Sequence, residues 1–132
     1  MDEILINKKT SIERCIRRIR DDYQDDFATN YTKQDAVILN IERACQSAID
    51  MGNRVVKLKN LGLPQSNRDT FLKLEKEGIL PADLSKTMQA MAGFRNIAVH
   101  DYSSVNIEVI QNIVLNHLQD LIDFSKLMID QV

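Results

Sequence analysis

Glycine and proline are scarce, with 4 Gly and 2 Pro in 132 residues. An all-β sandwich needs a turn residue every few positions, so this scarcity argues against one. No apolar run approaches the ~20 residues of a membrane-spanning helix. Met1-Asp2-Glu3 lacks the basic segment that opens a secretory signal, so a cytoplasmic protein is expected. Cysteine is nearly absent too: Cys15 and Cys45 sit inside apolar helical patterns, not at C-x-x-C spacing, which predicts buried thiols. His100 and His117 have no Cys or His at ligand spacing, so no metal and no cofactor is expected. An excess of positive charge is also missing, because 17 Lys and Arg face 19 Asp and Glu for a formal net charge of -2. That balance excludes a polybasic coat for nucleic acid but leaves room for a local cationic pocket.

What the chain does have is ordinary globular composition, 44% apolar and 27% charged. A chain of this length buries about two thirds of its unfolded surface, enough to hold one core without disulfides or metal. A single domain over residues 1–132 is therefore expected.

Apolar residues recur at helical spacing throughout. Thr10-Ser11-Ile12-Glu13 fits a capping box, which predicts a first helix starting near Asn7 to Thr10. Ile12, Cys15, Ile16, Ile19, Tyr23 and Phe27 continue it as one stripe. The opposite side carries Arg14, Arg17, Arg18, Asp21, Asp22 and Asp25; Arg17–Asp21 and Arg18–Asp22 stand at i,i+4 spacing and predict a solvated face. Asn30-Tyr31-Thr32 breaks the pattern, with Thr32 to Asp35 as the next cap. A long stripe then runs through Ala36, Leu39, Ile41, Cys45, Ala48, Ile49, Val55 and Val56 to Asn60-Leu61-Gly62. Gly52 inside it costs about 1 kcal/mol relative to Ala and points to a close helix approach or a bend.

Leu63-Pro64-Gln65-Ser66 reads as a linker, because the residue before proline avoids the α region. Ser66 or Asn67 caps a short helix carrying Phe71 and Leu74, and Gly78 stops it. Pro81 opens a fourth helix that buries Leu84, Met88, Met91 and Phe94. Asn106 caps a last long helix with the stripe Val109, Ile110, Ile113, Val114, His117, Leu118, Leu121, Ile122, Ser125 and Met128. His117 is expected to be a satisfied core or interface side chain. With no strand signal, phosphate loop or repeat, the expected fold is all-α, an up-down bundle of about five helices.

The chemistry concentrates in Arg95-Asn96-Ile97-Ala98-Val99-His100-Asp101-Tyr102, where a fixed cation, a carboxamide, an imidazole and a phenol fall within eight residues. On a continuous helix Arg95 and His100 point roughly 140° apart, since each residue turns about 100°. They converge only if the helix frays between them or a second subunit completes the pocket; fraying is the expectation. Ala90, Ala92, Gly93 and Ala98 are small enough to admit another backbone or a bulky ligand. Taken alone, an exposed arginine beside a helix-end histidine is also an ordinary surface feature. Tyr102 equally suits packing of the helix end or stacking on a base.

Arg95-Asn96-x3-His100-x-Tyr102 resembles the Arg-x4-His-x-Tyr signature of HEPN-superfamily proteins of the HepT type, the toxins of HepT–MntA toxin–antitoxin pairs. Asn7-Lys8-Lys9, Glu13-Arg14-Cys15-Ile16-Arg17-Arg18 and the order and size of the helices carry the likeness across nearly the whole chain. The resemblance implies a metal-independent endoribonuclease toxin of a type VII system, acting on tRNA or mRNA as a homodimer or higher oligomer. His100 would move a proton, Arg95 would hold the phosphate and Asn96 would position them. Attack by the ribose 2′-hydroxyl would leave a 2′,3′-cyclic phosphate and a 5′-hydroxyl. The resemblance further implies that an MntA-type nucleotidyltransferase attaches AMP to Tyr102, whose charge and bulk would block the cleft. The competing expectations are a non-catalytic nucleotide-binding or docking subunit of a nucleotidyltransferase, and a plain helical adaptor. The arginines of the first helix with Arg43, Arg54, Lys57 and Lys59 are candidates to extend an RNA groove.

Overall fold

Asp2 decides where the first helix begins in the computed structural model, which describes residues 2–132. Its carboxylate accepts the Leu5 N–H at 3.0 Å and caps α1 (Glu3–Asp22), so the helix starts about two turns ahead of the expected point. The Thr10 box is not used: Thr10 Oγ1 donates to the Ile6 carbonyl at 3.0 Å, and Glu13 pairs with Lys9 at 3.2 Å. Ile12, Cys15, Ile16 and Ile19 form the buried stripe, joined by Leu5. Phe27 is buried as well, but from a 3-10 turn over Phe27–Thr29, because the backbone leaves the helix at Tyr23. Among the described residues neither Arg17–Asp21 nor Arg18–Asp22 closes to ion-pair distance; their face is solvated without them.

Asn30 caps α2 (Tyr31–Leu58), accepting the Lys33 N–H at 3.1 Å, so the cap lies just ahead of Thr32. Val37 and Ile38 fill the core in this stretch, whereas Leu39 is 42% exposed and Ala36 half-buried. Gly52 marks a close approach. A Cβ there would lie 2.9 Å from Thr70 Cγ2 and 3.6 Å from the Phe124 ring. α2 ends through Asn60 (φ 55°) and Gly62 (φ 94°), both in the left-handed region.

Ser66 caps α3 (Asn67–Lys76) through the Asp69 N–H at 3.1 Å, and Gly78 at φ 73° follows its end, both as expected. Pro81 precedes α4 (Ala82–His100), which buries Met88, Met91 and Phe94, with Leu84 partly covered. Asn106 caps α5 (Ile107–Asn116) by accepting the Glu108 N–H at 2.8 Å. The expected single last helix is two. His117, at φ -126° and ψ 0°, separates α5 from α6 (Leu118–Ile129). One non-helical residue barely shifts a 3.6-residue stripe, which is why the apolar pattern runs across the break unmarked. His117 Nδ1 lies 2.8 Å from Asp120 Oδ2, so this histidine is satisfied and only partly buried.

Among the described residues six helices form an all-α up-down bundle with α2 at its centre, where α1, α3, α4 and α6 all pack on it. Phe71 of α3 meets Phe124 of α6 edge to face at 5.4 Å beside Gly52. Both cysteines are free and buried, and burial pushes the Cys45 thiol up to about 12, so neither is a reactive thiolate.

Candidate active site at the end of helix α4

α4 does not fray. Its hydrogen bonding runs through His100 and closes with the Asp101 N–H donating to the Ile97 carbonyl at 2.8 Å. Arg95 to His100 contains no glycine or proline, and buried Ala98 anchors the last turn, so nothing interrupts the helix. Arg95 and His100 therefore point to different sides of one continuous helix, and a single chain does not bring them together. Asn96 and His100 share a face.

The Arg95 side chain is half-buried and steadied by its neighbour: Nη1 donates to Asn96 Oδ1 at 3.1 Å. Its Nε is buried and finds no protein acceptor. The charge reaches inward to Cys45 of α2. His100 is exposed on the final turn of α4.

Tyr102 opens a 3-10 turn over Tyr102–Ser104. Asp101 ties that turn down, accepting from Ser103 Oγ at 3.3 Å and from Ser104 Oγ at 2.6 Å. The turn lies against α2, where the Tyr102 hydroxyl donates to Asp35 Oδ1. Partial burial, the Asp35 hydrogen bond and the charges of Asp35 and Glu42 together push the phenol up to about 12. Tyr102 thus stands protonated and 46% exposed, two residues beyond His100.

Of the small residues flanking the motif, Ala92 and Ala98 face the chain's own core. Lys86, Ala90, Ile97 and His100 are exposed at three- and four-residue intervals, with Gly93 half-buried among them, so one outward stripe runs along α4. Arg68 of α3 lies over this stripe, its Nη2 3.6 Å from where a Gly93 Cβ would stand. The charges of Arg14, Arg18 and Arg43 converge on Cys15 between α1 and α2. Arg54 is already engaged, donating to Asp2 from Nε at 3.0 Å and Nη2 at 2.8 Å, so it is a structural tie and not part of a free groove. Lys57 lines a separate cavity of about 680 Å³ at the α2–α3 connection, with Asn53, Asn60 and Thr70.

Two residues here escaped the sequence. Asp35 was legible only as part of a cap, since nothing local ties it to a tyrosine 67 positions away. Arg68 carried no signal beyond its charge.

The model of the family described as ribonuclease HepT-like matches residues 9–128. The chain is 42% identical over 126 residues to the mRNA nuclease HepT of Shewanella oneidensis, covering 94% of this chain and 95% of that protein. It is 27% identical over 82 residues to the tRNA nuclease HepT of Aphanizomenon flos-aquae, covering 62% and 56%. The tri-AMPylated Shewanella oneidensis HEPN toxin, solved in complex with its MNT antitoxin, superposes at a TM-score of 0.93 with 40% identity over 98% of this chain and 99% of that one. With a whole-length match in sequence and in backbone, the chain belongs to the ribonuclease HepT-like family.

Proposed function

We propose that this protein is the toxin of a type VII toxin–antitoxin pair, a metal-independent endoribonuclease that acts in the cytoplasm through Arg95, Asn96 and His100. A nucleotidyltransferase antitoxin of the MntA type would silence it by attaching AMP to Tyr102, and residues 1–132 would act as one domain. The observation that carries this reading is the last two turns of α4. There a guanidinium held by Asn96 keeps an unpartnered Nε, and an exposed imidazole follows on the next turn.

Those groups suit RNA cleavage. The ribose brings its own nucleophile, so the protein must take one proton, give another and stabilise charge on the phosphorane. Imidazole, with an unperturbed pKa of about 6.5, serves either transfer near neutral pH. Guanidinium offers a planar fork to phosphate oxygens and keeps its charge. His100 is the one histidine in this motif, which leaves the second proton carrier unassigned.

A two-fold dimer supplies it. The stripe Ala90, Gly93, Ile97, His100 suits an antiparallel crossing with a second α4. Such a crossing brings the His100 imidazoles of the two protomers to one interface, which provides the second proton carrier. Arg68 and the cluster of Arg14, Arg18 and Arg43 would extend contact with the RNA backbone.

The test incubates purified protein with tRNA and with mRNA in excess chelator, beside His100→Ala. Chelator-resistant cutting that His100→Ala loses, with helix content intact, is expected. RNA binding without cutting in the wild type favours a docking subunit, and neither binding nor cutting favours an adaptor.

A further inference from the structure

We propose that Asp35 is the residue that aligns the Tyr102 hydroxyl and takes its proton when the first AMP unit is attached. This rests on Tyr102 being the modified residue. The phenol oxygen is the atom that would attack, and among the described residues its hydrogen-bond partner is Asp35 Oδ1, on a different helix. The toxin then carries part of the machinery for its own inactivation.

The chemistry at neutral pH calls for such a group. Burial and the neighbouring carboxylate keep the phenol protonated, so phenolate is too rare to serve as the nucleophile. Asp35 is a weak base towards a free phenol. It becomes an effective one as the phenol oxygen bonds to phosphorus and its proton turns acidic. A carboxylate accepting a substrate hydroxyl proton fills the same role in protein kinases.

A lone pair of the Tyr102 oxygen forms a bond to the α-phosphorus of ATP while its proton passes to Asp35 Oδ1. The bond from the α-phosphorus to the bridging oxygen breaks, and pyrophosphate leaves. Asp35 then returns the proton to water.

A second consequence separates this role from a merely structural one. A phenol oxygen forms one phosphodiester, so every later unit must be esterified to a different hydroxyl. After the first transfer the tyrosine oxygen has no proton to donate, and the new phosphodiester repels the Asp35 carboxylate. Asp35 therefore governs the first addition and not those that follow. Glu42 stands two turns along α2 and feels the phenol only through its charge, which makes it the control.

The experiment follows AMP transfer from ATP and Mg²⁺ by the cognate nucleotidyltransferase antitoxin, using intact mass to resolve each added unit. Asp35→Asn keeps the size and can still accept the hydrogen bond, but it cannot take the proton. It is expected to lower kcat of the first addition about 10²-fold or more, with KM for the toxin unchanged. Asp35→Glu should recover part of the rate, Glu42→Gln should match wild type, and later units should add at the wild-type rate. First addition to Asp35→Asn at the wild-type rate overturns the proposal. So does a loss confined to KM, an equal loss in Glu42→Gln, or equal slowing of every addition. Tyr102→Phe isolates the underlying reading: if it still gains an adenylate unit, the acceptor lies elsewhere, whatever Asp35→Asn does.

Discussion

Arg54 reaches from the last turns of α2 to Asp2, placing Nε at 3.0 Å and Nη2 at 2.8 Å from one carboxylate oxygen, while the other oxygen of Asp2 caps α1. One side chain thus starts a helix and fastens it to the next. Arg54 first, and the Leu5 amide after it, hold the Asp2 carboxyl below its ordinary range. The native state therefore binds this proton more weakly than the unfolded chain. The stabilisation is present above the ordinary carboxylate pKa of about 4 and is lost as pH falls through the depressed native value. Thermal melts should show wild type above Asp2→Asn near neutral pH, with the gap narrowing in acid. A gap that stays constant down to pH ~2 would disprove the linkage.

Gly52→Ala sets two effects against each other. Alanine gains about 1 kcal/mol of helix propensity, and overpacking costs about 1–3 kcal/mol. The new Cβ would meet Thr70 Cγ2 at 2.9 Å, and Thr70 cannot turn away freely because its Oγ1 donates to Asn53 at 2.6 Å. Net destabilisation of about 1 kcal/mol is expected in urea unfolding. Adding Thr70→Ser removes the offending methyl and should restore stability; no restoration would place the strain at Leu74 or Phe124.

Ile97 is 45% exposed at the middle of the outward stripe on α4. Ile97→Asp should leave the fold unchanged, shift the protein to monomer in sedimentation, and abolish RNA cleavage with it. A monomeric variant that still cuts would show that one chain suffices.

Tyr102 is one of three tyrosines, and burial first, with the Asp35 hydrogen bond and charge after it, pushes its phenol up to about 12 from an ordinary value of about 10. A difference titration of wild type minus Tyr102→Phe by ultraviolet absorbance should show that late transition, and Asp35→Asn should move it towards neutral pH. A raised native value binds the proton more tightly than the unfolded chain does. Its stabilisation is complete below pH ~10 and is lost as pH climbs to about 12. A difference transition centred at pH ~10 would show the phenol neither buried nor bonded to Asp35.

Local chemistry was legible in the sequence wherever one residue could settle an outcome. Ser66 and Asn106 have side chains that satisfy a helix start, and Gly78 accepts a positive φ, so those boundaries fell as expected. Asp2 was missed because a box at Thr10 looked better locally, while the pull of Arg54 comes from 52 residues away. Leu39 looked like core by spacing, yet the neighbours of α2 cover Val37 and Ile38 instead. In the site, Arg95, Asn96, His100 and Tyr102 stood out by type and spacing. The straightness of α4 did not, since fraying was inferred from what convergence would require and not from the helix-compatible residues themselves. Asp35 joins the site only through the docking of the Tyr102 turn on α2, which no local pattern encodes.

The interruption at His117 has a mechanical corollary. α6 sinks Leu118, Leu121, Phe124 and Met128 into the bundle, whereas α5 contributes Ile110 and Ile113. Because the two are hinged and not continuous, strain applied near Tyr102 can be absorbed by α5 without levering α6 out of its seat. Nucleotides piling up on that tyrosine would thus displace a thinly rooted arm, and the toxin would stay folded and recoverable while silenced.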